Sequence, residues 1–294
     1  MSLVRDPSRR LMPAPVDEPV AGDAELLAGA LRAHRRVFVL TGAGCSTASG
    51  IPDYRDTEGQ WKRQRPVLFQ AFMSDPLTRA RYWARSLVGW RSFGRSSPND
   101  AHLALAALEH SGRTGLLVTQ NVDGLHQAAG SRRVIDLHGR LDRVLCVSCR
   151  HRSPRSAWQH LLKQRNAGWA GIEAPVAPDG DADLDDEDFS SFDVPGCSHC
   201  AGIVKPDVVF FGEGVPVWRH AQAAAALADS QAMLVAGSSL MVYSGYRYAV
   251  AAARQSKPVY AVNLGRTRAD HLLTLKVSAP TGPTLSDVTT LLSS

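Results

Sequence analysis

The run Val37-Phe38-Val39-Leu40, followed at once by Thr41-Gly42-Ala43-Gly44-Cys45-Ser46 and then by Gly50-Ile51-Pro52-Asp53-Tyr54-Arg55, constrains this chain more than any other stretch. Four apolar residues delivered into a glycine-rich turn read as a buried strand opening a βα unit, with a ligand crevice at its carboxyl end. Gly42 and Gly44 carry no Cβ and let the backbone approach phosphates, and the N–H groups of the short helix that follows can receive negative charge. Gly50 comes six residues after Gly44, so the spacing is not GxGxxG, and the turn alone leaves a cofactor site and an ordinary glycine turn both open. An acid, an aromatic and a guanidinium directly after a chain-locking proline are more than a bland turn needs.

At 294 residues the chain can bury a large core, and one large unit plus a smaller one is the expected division. The net charge of +5 arises from 33 basic residues, only five of them lysine. The arginines are spread without a dense block or interleaved aromatics, so dedicated nucleic-acid binding is not expected. No apolar run approaches the roughly 18 to 20 residues needed to span a bilayer, and the N-terminus lacks a secretory h-region. A cytoplasmic protein without membrane attachment is expected, with residues 1–22 as a mobile tail and no feature asking for more than a monomer.

Periodicity supplies the remaining elements. Asp23 caps a helix to about Arg36 with Leu27, Ala30, Leu31 and His34 inward. Residues 57–72 have no stable period and read as a flexible loop with anchoring aromatics. Pro76 starts a helix to about Trp90 whose apolar stripe is Leu77, Ala80, Trp83, Ala84, Leu87 and Val88; Tyr82 and Arg85, three residues apart, fall off that stripe. A helix at 99–110 leads to a strand at 116–119, which ends in Gln120-Asn121-Val122-Asp123. Asn121 and Asp123 can act as ligand groups, as caps of the short helix that follows, or as both. A strand at 134–137 ends in His138, whose imidazole is suited to act as a general base near neutral pH; His126 is the rival and is read as structural. Further strands are expected at 208–211, 232–236 and 259–262, with a helix at 216–228 and another after Gly237-Ser238-Ser239.

Cys146-x-x-Cys149 and Cys197-x-x-Cys200 offer four soft ligands in two knuckles, the pattern of a closed, structural tetrahedral Zn²⁺ site. A redox dithiol pair and a zinc DNA-binding ribbon are the competing readings. The 47 residues between the pairs exceed the usual ribbon spacer of roughly 15 to 20, so an insertion lies between the knuckles. It carries Asp179, Asp181, Asp183, Asp185, Asp186, Glu187 and Asp188, but Leu184 and Ser190 stand where an EF-hand needs Gly and Glu. A solvated acidic loop is expected.

With these residues in view, the chain resembles the sirtuins, NAD-dependent protein deacylases, over about residues 23–292. The motifs are Gly42 to Arg55, Thr119-Gln120-Asn121-Val122-Asp123-Gly124-Leu125-His126, His138-Gly139, and Lys205-Pro206-Asp207-Val208-Val209-Phe210-Phe211-Gly212-Glu213. Within the family it is similar to class II, through Arg81-Tyr82-Trp83-Ala84-Arg85 and the long cysteine spacer. The resemblance implies that NAD contacts come from Gly42, Ala43, Gly44, Ser46, Asp53, Tyr54 and Arg55. It further implies that Asn121 and Asp123 receive the nicotinamide carboxamide, that Gln120 orients the nicotinamide ribose, and that Gly237, Ser238, Ser239, Asn263, Leu264, Gly265 and Thr281 line the adenosine side. Cys45, where most sirtuins carry Ile or Val, reads as a packing residue that could be redox sensitive.

The implied fold is an α/β, Rossmann-like parallel sheet with helices on both faces, formed by 23–140 and 206–294, plus a zinc module at 141–205 that the helical segment around 57–98 joins. The implied reaction consumes NAD: the acyl group of an acylated lysine protein passes to ADP-ribose with release of nicotinamide, served by His138 and Asn121. Val209, Phe210, Phe211 and Gly212, with Ser239 to Tyr243, look like two strand edges between which an extended peptide adds. A Tyr-x-x-Arg pair of the kind formed by Tyr82 and Arg85 recognises carboxylated acyl groups in class III sirtuins, which implies removal of succinyl-like groups here. A hydride-transferring dehydrogenase, a mono-ADP-ribosyltransferase and a non-catalytic NAD-sensing zinc module are the alternatives.

Overall fold

The computed structural model describes residues 19–62, 66–169, 171–174, 180–184 and 187–294. In chain order the regular elements are β1 (Val20–Ala21), α1 (Ala24–Arg32), β2 (Val37–Thr41), α2 (Phe69–Ser74), α3 (Pro76–Phe93), α4 (Asp100–His110), β3 (Thr114–Thr119), α5 (Leu125–Ala128) and β4 (Val134–Asp136). They continue with β5 (Gly139–Cys146), β6 (Arg152–Pro154), α6 (Arg155–Arg165), β7 (Val204–Val208), α7 (Val217–Asp229), β8 (Ala232–Ala236), α8 (Tyr243–Arg254), β9 (Val259–Val262), β10 (Leu275–Val277) and α9 (Thr281–Ser293).

Seven strands form one parallel sheet in the order β1-β10-β9-β8-β2-β3-β4. All five residues of β2 are buried, because helices cover both faces. Alternation along the strand divides them: Val37 and Val39 pack with α1, α4 and α9, while Phe38 and Leu40 pack with α7 and α8. The order reverses at β2, which lies between β3 and β8, so the carboxyl ends of these strands open on one crevice. Residues 20 and 21, counted with the tail in the sequence, are the outermost strand of this sheet, paired with Leu275 and Lys276. Two residues have no detectable periodicity, and β10 beyond the expected last strand is only three long.

A second, antiparallel sheet has the order β6-β5-β7. The strand expected at 208–211 is therefore displaced. Val204–Val208 is the strand, and the chain leaves it as a loop through Phe210 and Phe211 because Pro206 sits in the ladder and Lys205 turns inward. Lys205 is buried, and its ammonium donates to the Val208 carbonyl and to Glu213 Oε2, while Phe210 N donates to the same Glu213 oxygen. That pairing curls residues 208–213 into a turn facing the crevice. Gly139, at φ +85°, could not be another residue, since a Cβ there would lie 2.0 Å from the Asp207 carbonyl oxygen.

The second core gathers Phe72, Trp83, Leu87, Trp158, Leu162, Phe189 and Phe192. Between its helices lies the buried guanidinium of Arg155, bonded to the Ser86 carbonyl and Gln159 Oε1 and set over the rings of Trp83 and Trp90. The segment between the cysteine pairs belongs to this core. Asp181 is only 2% exposed, Leu184, Phe189 and Phe192 are buried, and of the acidic residues described within 179–188 only Glu187 and Asp188 are exposed; Asp179, Asp185 and Asp186 lie outside the described residues. Contact is backbone to backbone: Ala182 N donates to the Arg85 carbonyl, and a Cβ at Gly89 would lie 2.3 Å from the Gly180 carbonyl oxygen.

Candidate active site

A cleft of about 530 Å³ lies where the carboxyl ends of β2, β3, β8 and β9 face the loop after β7, a size typical of sites that enclose a small molecule. Its first wall is the glycine turn. Here Gly42 and Gly44 have a second reason to be glycine: a Cβ on Gly42 would lie 2.8 Å from Ser238 Cβ, and one on Gly44 would lie 2.9 Å from Gly237 Cα. The turn after β2 is thus meshed with the turn after β8, and Gly44 N donates to the Gly237 carbonyl at 2.8 Å. Ala43, Ser46, Asp53, Tyr54 and Arg55 line the same cleft. Arg55 bonds the Gly59 carbonyl and lies 4.1 Å from the Trp61 ring centroid, and Trp61 in turn touches Tyr54 and Phe211. Trp61 and Lys62, which pairs with Asp53, are cleft residues that the lack of periodicity in their segment concealed.

Polar groups meet at the floor. Ser46 Oγ donates to Asp123 Oδ2 at 2.7 Å and accepts from Asn121 Nδ2 at 3.0 Å, and Asn121 Nδ2 also reaches the Gly42 carbonyl. Asp123 Oδ1 accepts from Leu125 N, so the capping role and the ligand-facing position coexist. Gln120 Oε1 accepts from Ser238 Oγ at 2.7 Å. At the far end Gly237, Ser239, Asn263, Leu264, Gly265 and Thr281 line the cleft, with Asn263 Nδ2 held by the Gly265 carbonyl.

His138 is half-buried in the wall, with Nδ1 2.9 Å from the Gln120 carbonyl oxygen and Nε2 2.8 Å from Ser244 Oγ. A carbonyl can only accept, so Nδ1 carries the proton and Nε2 keeps its lone pair. Burial pulls the pKa down to about 4, opposed by the Gln120 carbonyl and assisted by Arg219 and His220. His126 has no such access. It is buried, its Nε2 is 2.9 Å from Thr41 Oγ1, and burial followed by the neighbouring His102 lowers its pKa to about 3.

These histidines contribute to the acid stability. A folded-state pKa below the unfolded value near 6.5 contributes stability that is complete above pH 6.5 and is lost as pH falls toward 3 to 4. The expected result is a thermal midpoint that drops between pH 7 and 5. His126 alone accounts for roughly 2 kcal/mol over that interval, at about 1.4 kcal/mol per pH unit. A His126→Gln protein should show a flatter profile, and parallel profiles for the two proteins would refute this origin.

The two segments expected to flank a peptide are not strands. Val209 N is taken by the His138 carbonyl, the Phe211 carbonyl by Phe69 N and the Ser239 carbonyl by Arg268 N, so each wall is a loop already partly hydrogen-bonded. Val209, Phe210, Phe211 and Gly212 nonetheless line one side of the cleft and Ser239 to Val242 the other; Tyr243 is exposed and outside it. Tyr82 and Arg85 are also placed differently from the helical-wheel expectation. Tyr82 is 4% exposed, packed edge-on against Phe72, Trp83 and Phe210, and reaches the cleft from inside the core. Arg85 is not among the described residues lining the cleft, and its Nε donates to the Ala182 carbonyl at 2.9 Å. The inserted segment covers the face that a lone helix would leave to solvent.

The four cysteine sulfurs lie within 4.8 Å of one another, with Cys146 Sγ 3.5 Å from Cys200 Sγ and Cys149 Sγ 3.7 Å from Cys197 Sγ. A tetrahedral Zn–S length of about 2.3 Å requires sulfurs about 3.8 Å apart, so the donor set fits zinc with no place for a reacting water. Cys45 is buried, its thiol directed to the Ala236 carbonyl and its pKa pushed up by burial and by Asp123, which makes it a packing residue.

A parallel sheet wound on both faces, whose glycine turn and polar strand ends face a four-cysteine module, defines an α/β protein of the Rossmann-like kind with a metal-binding accessory sheet. The Sir2 family profile matches residues 42–244, and the chain belongs to that family, the sirtuins. It is 62% identical over 266 residues to an NAD-dependent protein deacetylase of Bordetella bronchiseptica, covering 90% of this chain and 97% of the relative. It is 65% identical over 244 residues to NAD-dependent protein deacetylase 2 of Bradyrhizobium diazoefficiens, covering 83% and 89%. The structure of a Sir2 homologue–NAD complex superposes with a TM-score of 0.73 at 27% identity, over 95% of this chain and 97% of that one. A Sir2 complex with a deacetylated p53 peptide and 3′-O-acetyl ADP ribose superposes with a TM-score of 0.72 at 29% identity, over 91% and 97%. No helix among the described residues is long and apolar enough to cross a membrane.

Proposed function

We propose that this protein is an NAD-dependent protein lysine deacetylase, and that the observation carrying the reading is His138 Nε2 held with its lone pair toward a cleft that also contains Asn121 and Asp123. NAD, when bound, supplies a ribose carbon activated by its departing nicotinamide. Asp123 and the Oδ1 of Asn121, whose Nδ2 is already spent on the Gly42 carbonyl and Ser46, offer acceptors for the N–H groups of an amide at the cleft floor. Gln120, fixed by Ser238, faces the adjoining ribose position, and the turn at Gly42 to Gly44 forms the cleft wall along which the phosphates would lie. His138 Nε2 accepts the proton of a hydroxyl brought to it, a transfer its low pKa keeps available throughout the neutral range. Cys146, Cys149, Cys197 and Cys200 would hold zinc as a structural tie on the sheet from which the wall at 208–213 springs.

The chain divides accordingly into a nucleotide-binding unit and a cysteine-bearing unit that together enclose the cleft. Class II membership rests on the Arg81 to Arg85 run and the long spacer. The testing experiment is incubation of the purified protein with NAD and an acetyl-lysine peptide. Nicotinamide release with loss of acetyl and no absorbance at 340 nm is expected, whereas NADH formation, or transfer of ADP-ribose to protein without acetyl loss, overturns the reading. A preference for carboxylated acyl groups has no support from Arg85, whose guanidinium serves the Ala182 backbone. Arg85→Met is expected to lower succinyl and acetyl removal by the same factor and to lower the melting temperature. Selective loss of succinyl removal would restore Arg85 as a recognition residue.

A further inference from the structure

The Ser244 hydroxyl is 2.8 Å from His138 Nε2, the one atom of the base that has to be available to substrate. Ser244 lies in the first turn of α8, next to the wall segment 239–242, and lines the cleft. Because Nδ1 donates to the Gln120 carbonyl, Nε2 has only a lone pair to offer, so the serine O–H must be the donor. The imidazole is thus gripped at both ends, by a backbone carbonyl from the end of β3 and by a hydroxyl from α8. Rotation of the ring would break both bonds together.

We propose that Ser244 is a positioning residue for the base: its hydroxyl occupies the place of the reacting substrate hydroxyl in the free enzyme, fixes the Nδ1–H tautomer, and yields Nε2 when that hydroxyl arrives. The inference rests on His138 acting as the base. No atom is gained or lost by Ser244; the proton that reaches Nε2 during turnover comes from the substrate hydroxyl that has replaced it. The other groups facing the ring act in the same direction. Arg219 and His220 of α7 also disfavour its protonated form, with Arg219 bonded to the Leu137 carbonyl. His220 is itself tied to Tyr248 and Arg247 of α8. A donor on Nε2 adds to this by favouring the neutral ring.

The test is Ser244→Ala, read in two ways. Turnover on an acetyl-lysine peptide should fall roughly 10- to 100-fold with little change in peptide KM, the effect of a mispositioned group and not of lost binding. In the free protein, without NAD or peptide, NMR titration of the imidazole should show His138 taking up a proton up to about one pH unit higher than in wild type, since a hydrogen bond to the neutral form is gone. Ser244→Thr, which keeps the hydroxyl, should restore the titration and most of the rate. Wild-type titration and tautomer in Ser244→Ala overturn the proposal whatever happens to the rate, because a loss of rate alone would then come through α8. The titration requires no reaction, so it is independent of whether the protein deacetylates anything.

Discussion

The His138→Ala protein is expected to fold, to bind NAD, and to deacetylate roughly 10²- to 10⁴-fold more slowly than wild type, the range by which a positioned base accelerates proton transfer. Folding should survive because the two groups the ring bonds, the Gln120 carbonyl and the Ser244 hydroxyl, both border the cleft and can be rehydrated. NAD binding should survive because Asn121, Asp123 and the glycine turns make no hydrogen bond to His138. Removing a ring whose pKa lies near 4 should also abolish the matching acid limb of the rate profile. A rate within a few-fold of wild type would transfer the base role elsewhere. His126 could not take it, being sealed against Thr41.

Cys197→Ser is expected to release zinc and unfold the protein at ordinary temperatures. Structural zinc in small modules contributes roughly 10–16 kcal/mol, as much as or more than the 5–15 kcal/mol net stability of a whole domain. The damage should spread, because Cys146 ends β5, Val204–Val208 pairs with that strand, and the wall at 208–213 follows from it. Metal analysis and thermal melts of the two proteins decide the matter. Wild-type protein that contains no zinc, or a mutant melting at the wild-type temperature, would refute the assignment.

Much of the large sheet could be read directly because its strands are buried on both faces: Ala232–Ala236 and Val259–Val262 are continuous apolar runs, bounded by Gln231 and Gly237 and by Pro258 and Asn263, and their limits match the structure. The cleft residues at strand ends were legible for the same reason. What escaped was set by tertiary contact. Tyr82 and Arg85 look solvent-facing on a lone helix, but Tyr82 packs against Phe72 and against Phe210, over a hundred positions further on, and Arg85 bonds the backbone of Ala182, nearly a hundred positions on. Val204–Val208 contains Lys205 and Pro206, poor strand formers, and becomes a strand through pairing with β5 and the burial of the lysine against Glu213. Ser244 carried no signal at all, since only the fold brings it to a histidine 106 positions away.

The 47-residue excursion between the knuckles has a meaning in polymer terms. Closing a flexible loop becomes harder only with the logarithm of its length, at about 0.6 kcal/mol per doubling, so extending a ribbon spacer of 15–20 residues to this one costs about 1 kcal/mol. Burying Leu184, Phe189 and Phe192 returns roughly 1.5–3 kcal/mol for each side chain. The closure cost of the long segment is therefore more than offset by the apolar side chains it buries against the core that contains α3. Trimming it would strip hydrophobic cover from the helix that carries Tyr82.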